Sequence, residues 1–155
     1  MGPFLSWLES SRVATAVSQS TLLIGSLSAI HLLGMTVLVG GAFVSSLRLM
    51  GVILSEHPVA DVASTISRGM AFGLALSVAT GLLMFAPRAS MAIDNSFFQL
   101  KMLLLLVAVV FHFSVHRGVT RRVDAPPRLL TCAGAAGLAL WFGVAASGCA
   151  YILLE

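Results

Sequence analysis

The sequence predicts an all-α membrane protein, a four-helix up-and-down transmembrane bundle preceded by a short interfacial helix. Three observations lead there. Of 155 residues, 58% are hydrophobic and only 10% charged, well below the roughly 25% charged residues of soluble domains. Four apolar runs reach the roughly 20 residues needed to cross a bilayer as a helix: about 21–54, 68–86, 97–117 and 129–154. The connections are short, which favours antiparallel neighbours. The chain reads as a single integral domain over 1–155, with no repeat and no soluble part.

Residues 1–20 interleave Phe4, Leu5, Trp7, Leu8, Val13 and Val17 with serines, Glu9 and Arg12. With no charged leader before the apolar run, this is not a signal peptide. It reads as a helix lying in the interface, Trp7 at headgroup level. The first span, 21–54, exceeds the hydrocarbon thickness and must tilt or project. His57, before Pro58, reads as a solvated loop residue. The second span carries a seam of Met70, Gly73, Ser77, Gly81 and Met84, spacing that lets backbones approach closely. Pro87 ends it, residues 88–95 form an outer loop, and Ser96 with Gln99 resembles a capping box opening the third span. The fourth span is rich in small residues, Gly134, Gly137, Ala145 and Gly148 among them.

The pI near 9.5 does not indicate nucleic acid, because the cations lie in loops. Arg48, Arg68, Arg117, Arg121, Arg122 and Arg128 flank one side, against Arg12, Arg88 and Lys101 on the other. Positive-inside bias then predicts that both ends of the chain lie outside the cytoplasm. Cys132 and Cys149 lie about 25 Å apart along one helix, beyond disulfide reach, and read as small core residues. The absence of CxxCH excludes c-type haem attachment.

The stretch SLSAIHLLGMTVLVGGAFVSSLR, 26–48, places His31, Gly34, Leu38, Gly41, Ser45 and Arg48 on one helical face. An ionisable residue inside an apolar span is a functional candidate because its burial is costly. One reading is a b-type haem site. His31 and a histidine of the third span, His112, would be axial ligands. Gly34, Gly41 and Gly137 would give room to the ring, and Lys101 would meet a propionate. Counting helix rise from the span starts puts His31 about 15 Å deep and His112 about 22 Å deep, a mismatch that helix tilt can absorb. On the same count His116 lies about 29 Å down, a poorer partner. The protein would then be an electron carrier rather than a stand-alone enzyme, working alone, as a homodimer or with a redox or metal partner on the periplasmic side.

Copper is the alternative ligand. His31 with Met35, and His112 with His116, are spaced i, i+4, and thioether with imidazole suits copper(I). A third class is a non-catalytic membrane subunit, its small-residue seams anchoring a partner. No acidic residue falls inside a span to orient a histidine, which argues against nucleophilic catalysis. No nucleotide-binding glycine pattern is present.

The motifs WLESSRVATAVSQS, IHLLGMTVLVGGAFVSSLRLMG, TGLLMF and NSFFQLKMLLLL with its late histidine resemble a family of small four-helix bacterial membrane proteins known as a domain of unknown function. The likeness runs over nearly the whole chain and implies the fold and a bacterial inner membrane. The histidine followed by a glycine-rich helix is also distantly similar to the membrane domain of copper-resistance protein D, which would imply copper handling.

Overall fold

A computed structural model describes residues 2–120, 122 and 125–153, with residues 116, 117 and 151–153 described by backbone alone. Among them there is no strand. Two short helices, α1 (Pro3–Glu9) and α2 (Arg12–Gln19), precede the long α3 (Thr21–Leu49). Then follow α4 (Val59–Phe85), a 3₁₀ turn (Ala86–Arg88) and the short α5 (Ala89–Asp94). The third long element is α6 (Ser96–Phe111), continued by a π turn (His112–His116) and α7 (Arg117–Thr120). The fourth is α8 (Pro127–Leu153). Four helices are long and apolar enough to cross a membrane, so the chain is a multi-pass, all-α membrane protein. The lipid bilayer is its solvent.

Several ends differ from the sequence reading, each for a local reason. The first span stops at Leu49, because Gly51 turns the chain with φ 75°, a conformation glycine adopts without strain. The second begins at Val59, directly after Pro58. Pro87 tightens that helix into the 3₁₀ turn instead of releasing a loop, and residues 89–94 are helical. The third span is capped by Asn95, whose side chain accepts from Phe97 and Phe98 N–H at 2.8 and 3.2 Å. Gln99, assigned to a capping box, donates to the Ile93 carbonyl. The interfacial segment is two helices, broken at Ser10 and Ser11, where Ser11 caps α2 through Ala14 N–H.

α3 packs most extensively on α4, and α8 packs on both α3 and α6. α4 and α6 close the ring mainly through side chains. Phe85 stacks on Phe98 at 5.6 Å near the outer end, and Ser67 meets His112 at 3.4 Å further in. The α3–α4 crossing is backbone against backbone. A Cβ on Gly73 would stand 2.7 Å from the Gly34 carbonyl oxygen and 2.9 Å from Leu38 N. Gly134 makes the corresponding approach of α8 to α3, 2.7 Å from the Ser46 oxygen. The central core is Leu38, Ala42, Met70, Ala108, Trp141 and Val144.

The polar residues Ser45, Ser46, Ser77, Thr80, His112 and Ser147 are buried, while Leu22, Leu32, Leu33, Phe72, Leu103 and Phe142 are exposed. This inside-out distribution suits hydrocarbon outside, where an unsatisfied polar group is expensive. α1 and α2 fold back over the outer end: Glu9 Oε1 accepts the Ser90 N–H at 2.8 Å, and Ala14 and Val17 are buried. Cys132 and Cys149 are free and exposed rather than core residues.

Candidate functional site

His31 lies on the α3 face that meets α4. Its ring abuts Gly81, where a Cβ would stand 3.3 Å from Cε1. Nδ1 lies 3.0 Å from Thr80 Oγ1. That hydroxyl is itself 2.7 Å from the Leu76 carbonyl, which takes its single proton. With the hydroxyl's proton on the Leu76 carbonyl, Nδ1 would donate to Thr80, and the Ser77 carbonyl is a further polar contact of the ring. In that tautomer Nε2 would keep its lone pair. Holding a histidine by one nitrogen so that the other stays available is how proteins orient metal-ligating imidazoles.

Lys101 reaches the same level from α6. Its stem runs past Gly148 of α8, whose added Cβ would be 3.7 Å from Nζ. The ammonium lies within electrostatic reach of both His31 and Cys149. Among the described residues no carboxylate pairs with Lys101. Ser77 Oγ, enclosed against Gly34, has no hydrogen-bond partner. The half of the bundle under α1 and α2 thus holds an imidazole, a cation and a buried hydroxyl on three helices. That set suits a metal-bearing or anionic group.

The other predicted residues are placed as follows. His112 is buried (2% exposed), edge-on to Phe113, with Nε2 toward Ser67. The α4 residues beside the two histidines, Gly81 and Ser67, are 14 positions apart, about 21 Å of helix. The structure does not bring His31 and His112 together. Counting from the span starts assumed helices that begin at one level, whereas α3 begins beside α2. Leu23 and Leu27 share a cavity with Val17 of α2 and Leu83 near the end of α4.

The glycine seams also have a different use. Gly34 is filled by Ser77 and Gly73, and Gly41 by Met70 and Ile66, so both serve helix packing instead of bordering a ring. Gly137 is buried on α8. Met35 is half-buried one turn from His31 and packs on the core. The His116 side chain lies outside the described residues. His57 is an exposed loop residue, as predicted, and its carbonyl accepts from the Arg48 guanidinium. Among the described residues no three His, Cys, Asp or Glu side chains converge on one point.

Thr80 and the Ser77 hydroxyl were missed as site residues. Their signal was available, since Thr80 extends the seam that Ser77 and Gly81 already marked.

No curated protein and no solved structure matches the chain. The model of one family of unknown function, DUF6644, matches residues 4–153. With nearly the whole sequence covered, the chain belongs to that family.

Proposed function

We propose that this protein is a membrane electron carrier that holds a b-type haem in the outer half of the bundle. His31 Nε2 would hold the iron and Lys101 would offset the charge of a propionate. The observation that supports this reading is the contact of His31 Nδ1 with Thr80, which in the Nδ1–H tautomer would leave Nε2 for a ligand. His112, about four turns further along the bundle, would not share the group with His31. With both termini periplasmic in an inner membrane, the orientation that the arginine asymmetry favours, the site would lie toward the periplasmic side.

The test is an absorption spectrum of protein purified from haem-replete cells. A Soret band and a reduced-minus-oxidised α-band are expected, absent in His31→Ala and retained in His112→Ala. A colourless wild-type preparation overturns the reading.

Copper(I) is the second reading, supported by His31 and Met35 on successive turns of one face. It predicts stoichiometric copper by elemental analysis, lost on His31→Ala. A stable partner complex that survives replacing both His31 and His112 would instead favour a non-catalytic subunit.

A further inference from the structure

A second site lies under the interfacial helix. α2, the first turns of α3 and the end of α4 enclose a cavity of about 300 Å³ lined by Val13, Ala16, Val17, Leu23, Leu27 and Leu83, with Arg12 at its edge. Its walls are almost wholly apolar, yet Val13 is 50% and Leu23 40% exposed, so the cavity opens outward. Exposed apolar walls at the level of an interfacial helix are satisfied by hydrocarbon. The Arg12 guanidinium is exposed and makes no ion pair among the described residues. Glu9, one turn earlier, is engaged by the Ser90 N–H. A guanidinium without a carboxylate beside a hydrocarbon-lined slot is complementary to a phosphate carrying an acyl chain.

We infer that this cavity binds one phospholipid, an acyl chain lying between α2 and Leu23, Leu27 and Leu83, its phosphate on Arg12. The site is separate from His31, and the inference does not depend on what His31 holds.

The experiment is native mass spectrometry of the delipidated full chain titrated with phosphatidylglycerol and, separately, with uncharged diacylglycerol. Phosphatidylglycerol is expected to bind the more tightly. Arg12→Gln should weaken phosphatidylglycerol about fivefold, the worth of one cation at a membrane surface, and leave diacylglycerol unchanged. Ala16→Phe, which fills the slot from an exposed position, should lower the affinity for both lipids. Arg88→Gln, outside the cavity, should change neither. Equal loss in Arg12→Gln and Arg88→Gln overturns the assignment, because it would signify diffuse attraction. Unchanged binding in Arg12→Gln overturns it as well. Arg12 is exposed, so that variant folds whether or not Ala16→Phe does.

Discussion

His31 and His112 are both imidazoles within one membrane bundle, and their surroundings differ at every point. His31 is half-buried, faces a glycine, is held through Nδ1 by a threonine, and has a lysine ammonium nearby. His112 is fully buried at the start of a π turn, with an aromatic ring against it and a serine at Nε2. The site under α1 and α2 holds its ring by one side, through Nδ1. The inner one encloses its ring and uses it to join α6 to α4. On the proposed function, the comparison separates a histidine that would take a ligand from one that joins two helices. Residue type and apolar context alone make them look equivalent.

The largest expected effect breaks the frame that holds both sites. Gly73→Leu puts a side chain into the Gly34 carbonyl and Leu38 N. Neither backbone atom can yield, so more than about 3 kcal/mol should be lost, read as failure to resist unfolding in a detergent titration. His112→Ala comes next. Removing a buried ring should cost on the order of 3 kcal/mol while leaving any His31-dependent spectrum in place. His31→Ala should do the reverse, with a stability change under about 1 kcal/mol and complete loss of the ligand signal. If the two variants behave alike, the distinction between the sites is wrong.

Thr80→Val keeps the shape of the residue and removes the Nδ1 acceptor. Ligand affinity should fall by about 10- to 100-fold with thermal stability nearly unchanged, measured by absorbance titration beside a melting curve. The smallest effect belongs to Asn95→Ala. It should cost about 1 kcal/mol through the lost cap, and a melting curve should show it equally in protein with and without ligand, since the cap touches neither histidine.

The architecture was legible because hydropathy alone decides where a chain crosses a membrane, and Thr21 and Phe85 fall close to the predicted edges. The pairing of His31 with His112 was not legible. Depth along a helix is readable from rise per residue only if all helices start level, and α3 begins beside α2. The glycines were found but misassigned. Spacing shows that something approaches Gly34 and Gly41, and only packing shows that α4 is what approaches. Asn95 was overlooked as a cap because Ser96 and Gln99 mimic the familiar pattern one residue later.

The bond from Glu9 to Ser90 has a consequence for how the protein is made. Its two residues are 81 positions apart, and at 5–20 residues per second the ribosome takes roughly 4–16 s to supply the second. Throughout that interval the N-terminal helices have no outer end of α4 to dock on. They must wait at the membrane surface, which their alternation of aliphatic and polar residues equips them to do. Synthesis of α4 and α5 then captures them.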